Sequence, residues 1–108
     1  MSIKIGNYLF DGPYTSTDRL EDRAGIYAIL CQKGGESYPV DVGESATVKT
    51  RVENHERKDC WKNNCKGTLA IAVYYTLNLQ QRGRMAIEQQ IRAHYDVPCG
   101  EKRIFDNS

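Results

Sequence analysis

Residues 25–43 read Gly25-Ile26-Tyr27-Ala28-Ile29-Leu30-Cys31-Gln32-Lys33-Gly34-Gly35-Glu36-Ser37-Tyr38-Pro39-Val40-Asp41-Val42-Gly43. Two apolar runs, Gly25–Cys31 and Tyr38–Val42, flank a polar loop that contains paired glycines. Ile, Tyr, Leu and Val suit extended backbone, and a short Gly-bearing loop between two such runs predicts a β-hairpin. Successive strand residues point to opposite faces. Ile26, Ala28 and Leu30 therefore share one face, which Val40 and Val42 can join from the second strand. The opposite face carries Tyr27 and Asp41, which sit across from each other if the turn centres on Gly34. A phenol and a carboxylate on the less apolar face of one hairpin are the first chemical signal.

Working outward, Ser45 is placed to cap a helix over Ala46–Arg57, because its hydroxyl can accept from the free N–H groups that follow. Val48 and Val52 form the buried stripe of that helix, and Arg51 and His55, also four apart, share a different face. Asp59–Gly67 is polar and is expected to be irregular, with Trp61 anchoring it to the core. Leu69–Tyr75 is the most strand-like run in the chain and predicts a central, well-buried strand. Arg82–His94 predicts a second helix with Met85, Ile87 and Ile91 apolar, ended before Pro98, which cannot easily continue a helix. Upstream, Met1–Arg23 offers one short strand, Asn7–Phe10, before the turn-rich Asp11-Gly12-Pro13. The tail to Ser108 is polar. The expected fold is α+β, a small, mainly antiparallel sheet flanked by helices.

At 108 residues the chain suits a single domain, 1–108, large enough to bury a core. Apolar residues at 40% and charged residues at 27% exclude a disordered chain. A net charge of +1 is low for a dedicated nucleic-acid binder, so any such role rests on a local patch. Lys49–Lys66 offers one, with six cations against three acids, read either as a phosphate-facing surface or as a solvated helix face. No leader-like run and no stretch of about 18 apolar residues is present, so the expectation is a cytoplasmic protein with no membrane partner. In that compartment Cys31, Cys60, Cys65 and Cys99 are expected as reduced thiols. A zinc-stabilised module is an alternative, with Cys60 and Cys65 as a pair and His55, His94 and Cys99 supplying the rest.

The order of motifs resembles the GIY-YIG nuclease family over roughly residues 25–100. Gly25-Ile26-Tyr27 matches the first motif, and Asp41-Val42-Gly43 stands where the second is expected, with an aspartate replacing its tyrosine. Arg51 lies where the family carries its helix arginine, His55 where many members have histidine, and Glu88 where the family carries its metal-binding glutamate. Tyr95 and Pro98 are similar to the usual end of that helix. The resemblance implies Mg²⁺- or Mn²⁺-dependent hydrolysis of nucleic acid, with DNA the expected form and a protein partner or homodimer a possible source of specificity. A hard ion with few protein ligands suits that chemistry. Glu88 would hold the metal, Arg51 would neutralise the phosphate, Tyr27 would orient water or phosphate, and His55 would assist or contact substrate.

Three positions depart from the family pattern. Asp41 replaces the tyrosine usually proposed as general base. A carboxylate there could act as base or as an extra metal ligand, although an ordinary pKa of about 3.9 makes it a weak base. Glu44 stands where many members have lysine, and two acids near the phosphate would repel an anion unless metal is bound. Gly100 occupies the spacing of an asparagine that Asn107 is too distant to replace. Tyr38 would reach the Tyr27 side only through a β-bulge. The chain therefore reads as a divergent nuclease or, alternatively, as a degenerate module of the same fold that binds nucleic acid or protein.

Overall fold

The computed structural model of the protein describes residues 1–100; the expectations for the tail and Asn107 lie outside them. Gly34 and Gly35 both adopt positive φ (62° and 81°), the requirement of a tight two-residue hairpin loop. They join the two strands that the sequence places on either side. In chain order the elements are β1 (Ser2–Ile5), β2 (Tyr8–Tyr14), a 3₁₀ turn (Thr17–Arg19), β3 (Gly25–Lys33), β4 (Glu36–Ser45), α1 (Val48–Glu53), α2 (Lys58–Asn63), β5 (Thr68–Tyr75) and α3 (Gln81–His94). The strands form one antiparallel sheet in the order β1-β2-β5-β3-β4. β5 lies inside the sheet, as its apolar sequence predicts, and β4 is an edge.

The hairpin register differs from the expectation in an informative way. The turn centres between Gly34 and Gly35, pairing Lys33 with Glu36, and a bulge follows where Leu30 faces Pro39 while Ile29 faces Asp41. Val40 is the extra residue. Tyr27 consequently pairs with Gly43, and Asp41 sits two pairs further along, on the same face. The bulge also moves Val40 off the Ile26 face, so it packs with Tyr27, while Val42 stays with Ile26, Ala28 and Leu30. It brings Tyr38 to the Tyr27 side, opposite Cys31. That is four residues along β3, about 13 Å away, and Tyr38 is exposed, so it does not stand in for a missing tyrosine.

Each face of the sheet has its own core. Ile26, Ala28, Leu30, Val42, Phe10 and Ala72 pack against Ile87 and Ile91 of α3. Tyr27, Ile29, Val40 and Val73 pack against Val48 and Val52 of α1 and Trp61 of α2. Burying an Ile or Val side chain of this kind contributes about 1.5–3 kcal/mol.

The expected helix over Ala46–Arg57 is split. α1 ends at Asn54, whose side-chain amide donates to the Thr50 carbonyl (2.9 Å) and competes with the backbone. The expected irregular stretch after Asp59 instead opens with α2, fixed by buried Trp61. Ser45 accepts from the Thr47 N–H (2.9 Å), one step before the helix. The first turn of α1 is served by a remote group: Asp22 accepts from the Thr50 N–H (2.9 Å) and hydroxyl (2.7 Å), which lowers its pKa.

The cysteines are not free thiols. Cys31 is bonded to Cys65 and Cys60 to Cys99, with Cα atoms 5.4 and 5.9 Å apart. The compartment argument takes no account of spatial neighbours, and here the fold delivers each pair to bonding distance. The zinc alternative loses its thiolates with this pairing, and His94 is exposed on α3.

Candidate active site

Tyr27 lies on β3 with its phenol across Gly43 of β4. A Cβ at Gly43 would stand 2.1 Å from the Tyr27 oxygen and 2.3 Å from Cζ, so glycine is what leaves room for the ring. Gly43 therefore has a steric reason. Tyr27 Oη is 2.6 Å from His55 Nε2. His55 lies just beyond α1, in the break before α2, and its Nδ1 accepts the Arg57 backbone N–H (3.1 Å). An Nδ1 that accepts carries no proton, so in the neutral ring the proton is on Nε2 and is donated to Tyr27. The Tyr27 proton is then left to donate elsewhere.

Burial, followed by the charges of Arg57 and Arg51, pushes the His55 pKa down to about 4. The ring is neutral at physiological pH. Burial, then the charge of Asp41, pushes the Tyr27 phenol up to about 12, while Arg51 and Arg57 pull it back and Glu88 adds to the rise. The charges of Asp41, Arg51, Arg57 and Glu88 are thus all felt at the Tyr27 phenol.

Arg51 on α1 grips both oxygens of Glu56 at 2.7 Å each, a bidentate pair. This hydrogen bonding holds the exposed Glu56 carboxyl down to about 2. Glu88 on α3 accepts from Arg92 Nε (3.2 Å) and is mostly buried.

Asp41 is wholly buried and takes donors from three side chains. Arg57 donates from Nε (2.8 Å) and Nη2 (3.1 Å), Trp61 from Nε1 (2.7 Å) and Arg92 from Nη2 (2.8 Å). That occupies both oxygens, leaving this aspartate suited to neither proton abstraction nor metal ligation. Glu44 is equally accounted for: Arg84 Nε donates to it at 2.9 Å. The anticipated repulsion of a phosphate by these two acids is therefore cancelled by arginines of α3 and by Arg57. Gly100 also has its reason. It adopts φ +86°, and a Cβ there would lie 2.3 Å from Arg92 Nη2 and 3.0 Å from Asp41 Oδ1. Tyr95, at the end of α3, accepts the Gly6 N–H (2.9 Å) and ties that helix to the β1–β2 turn.

Among the sequence-predicted residues, Tyr27 and His55 touch directly, Arg51 and Glu88 act on the same phenol, and Asp41 belongs to the scaffold behind them. Arg57, Trp61, Arg92 and Glu56 went unassigned as site residues. The Glu88–Arg92 pair, four apart on one helix, is legible from spacing, and Glu56 lies five residues from Arg51, but the donors to Asp41 reach it from 16, 20 and 51 residues away. In the basic stretch Arg57 turns inward to Asp41, Arg51 is paired with Glu56 and Lys58 Nζ donates to the Glu53 carbonyl (2.6 Å), so its exposed charge is smaller than its composition. An apolar cavity of about 300 Å³ lies on the other side of Trp61, floored by Ile29 and Ile71, apart from the Tyr27 cluster.

Among the described residues no group of three or more His, Cys, Asp or Glu could hold a metal alone. A hard divalent ion that keeps most of its water needs only one or two carboxylates. Glu88 would be the carboxylate to hold such an ion, and its Oε2 is already engaged by Arg92. The chain matches no protein-family model, no curated protein and no solved structure.

Proposed function

We propose that this chain is a divergent GIY-YIG-type endonuclease that hydrolyses phosphodiester bonds of nucleic acid, DNA being the favoured substrate, with Mg²⁺ or Mn²⁺ at Glu88. The observation that carries the reading is the buried 2.6 Å contact between Tyr27 of β3 and His55 of the α1–α2 break, with the charges of Arg51 and Glu88 felt at the same phenol.

In this reading Arg51 exchanges Glu56 for a phosphate, whose oxygens match its planar fork. Tyr27 aims its free proton at the phosphate or the attacking water. If Tyr27 surrenders that proton to a base, the Nε2–H of His55 and the charge of Arg51 stabilise the resulting phenolate. An ion bound at Glu88 would supply polarisation of the phosphate and stabilisation of the leaving oxygen. Asp41 has no chemical step, because its lone pairs are taken.

A second reading is a degenerate module that grips nucleic acid or a protein without cleaving. The bidentate Arg51–Glu56 pair favours it, because an arginine already satisfied is slower to accept phosphate. The test is incubation with single-stranded, double-stranded and branched DNA and with RNA, in Mg²⁺ or Mn²⁺, beside Glu88→Ala and Arg51→Ala. Metal-dependent cleavage lost in both variants establishes the nuclease. Retention of labelled nucleic acid without cleavage, from folded protein, refutes it in favour of the binding module.

A further inference from the structure

α1 and α2 hold six residues each, so together they cover only part of the sheet face that buries Tyr27, Ile29 and Val73. Between these helices, β5 and the Thr15–Thr17 segment, the cavity of about 300 Å³ remains. Its floor is Ile29 and Ile71, paired across β3 and β5, and Leu69 and Val52 add to the apolar lining. Ile71 and Leu69 stay partly exposed there, an unfavourable state for apolar side chains inside a sheet. Trp61 spends its indole N–H on Asp41 (2.7 Å), and its ring lies 4.8 Å from that of His55. What it offers the cavity is therefore apolar ring surface.

The rim is polar and carries a net positive charge. Lys58 and Lys62 stand four apart on α2 and so share one face. Lys58 Nζ is held at the Glu53 carbonyl (2.6 Å), whereas the Lys62 side chain has no hydrogen bond or ion pair among the described residues. Glu53, the one acid among the described lining residues, has its carboxylate engaged by the Thr17 hydroxyl (2.7 Å). Two like charges one turn apart repel each other, and an anion between them turns that repulsion into attraction. Small-molecule sites are concave, about 300–1,000 Å³ and mostly apolar, with a few polar groups that fix orientation. This cavity sits at the small end of that range, which favours a ligand no larger than a fused pair of rings.

We infer that this cavity binds a small organic oxyanion with a flat apolar body. The body lies against Ile29, Ile71 and Trp61, and the anionic group sits between Lys58 and Lys62. The site does not depend on the nuclease reading, because Trp61 stands between it and the Tyr27–His55 pair.

The probe is 2-naphthoate, with neutral 2-naphthamide as the control of matched shape. Each is titrated into the full chain, disulfides intact, carrying ¹³C-labelled Ile, Leu and Val methyl groups. 2-Naphthoate should shift the Ile29, Ile71, Leu69 and Val52 methyl signals together, with a dissociation constant of about 1 mM or lower. 2-Naphthamide should bind about threefold more weakly, the size expected for ion pairing at exposed lysines. Lys62→Gln should bring that ratio towards one while leaving 2-naphthamide unchanged. Ile71→Phe fills the floor and should remove the shifts with both probes. If Ile71→Phe does not fold, Lys62→Gln, a change at an exposed side chain, decides. Absence of common shifts, equal affinity for the two probes, or a ratio unaltered in Lys62→Gln overturns the proposal. Methyl signals of Leu69 and Ile71 that move with protein concentration alone also overturn it, because a second copy of the chain then occupies the cavity.

Discussion

Lowering the pH from about 7.5 to about 4.5 should weaken the fold by about 2 kcal/mol through His55 alone. In the unfolded chain its imidazole titrates near the ordinary 6.5; folded, burial beside Arg57 and Arg51 takes it down to about 4. The unfolded chain therefore binds the proton more readily. Stability is fully present above the unfolded value and is lost as the pH falls through 6.5 towards 4. The gap between the two values corresponds to about 3 kcal/mol, and solvent screening trims it to about 2. With a urea slope of about 1–3 kcal/mol/M for a small domain, the midpoint should drop by about 1 M. The assay is urea unfolding at both pH values without reductant, beside His55→Gln, whose amide can still donate to Tyr27. The variant should lose this slope in the same window. Ring-proton NMR offers a direct check, because the chain has two histidines and the other, His94, is exposed. A His55 titration at or above 6.5, or an unchanged slope in His55→Gln, would refute the reasoning.

Gly43→Ala puts a methyl carbon where the Tyr27 hydroxyl lies, 2.1 Å away, so the ring must move; a stability loss of about 1–3 kcal/mol is expected by thermal melting. Replacing Cys60 and Cys99 together by serine should remove about 2–4 kcal/mol in urea titrations. A thiol assay on unreduced native protein should find none of the four cysteines reactive. Glu56→Gln releases Arg51 from its exposed partner and should tighten oligonucleotide binding about two- to fivefold, measured by fluorescence anisotropy at fixed salt. Unchanged affinity would mean that Arg51 does not face the nucleic acid.

Local pattern carried much of the fold into view. The central hairpin, buried β5 and α3 follow from apolar periodicity and turn chemistry, because those signals act over a few residues. β1 escaped notice although Ser2–Ile5 alternates and Gly6-Asn7 is a good hairpin turn before Tyr8. The two-residue turn at Gly34–Gly35 and the Val40 bulge each shift the pairing by one residue, and together they set Tyr27 against Gly43 rather than Asp41. For the candidate site, the ordered motif set singles out Tyr27, Arg51, His55 and Glu88, of which the structure brings Tyr27 and His55 into contact. The part taken by Asp41 was not, since it depends on Arg57, Trp61 and Arg92, which reach it from 16, 20 and 51 residues away. The disulfides were illegible for a related reason. Four cysteines allow three pairings, and only the tertiary fold selects among them.

The two bridges interleave: Cys31 joins Cys65, and Cys60, inside that loop, joins Cys99 outside it. A single backbone cut anywhere between Cys31 and Cys99 therefore leaves both fragments covalently linked. A protease that nicks the Gly34–Gly35 turn or the α1–α2 break would yield one species on a non-reducing gel and two after reduction. Asp41, Arg51, His55 and Glu88 all lie within the linked span. A nicked molecule would keep these groups at high local concentration, and reassembly would be unimolecular and independent of dilution.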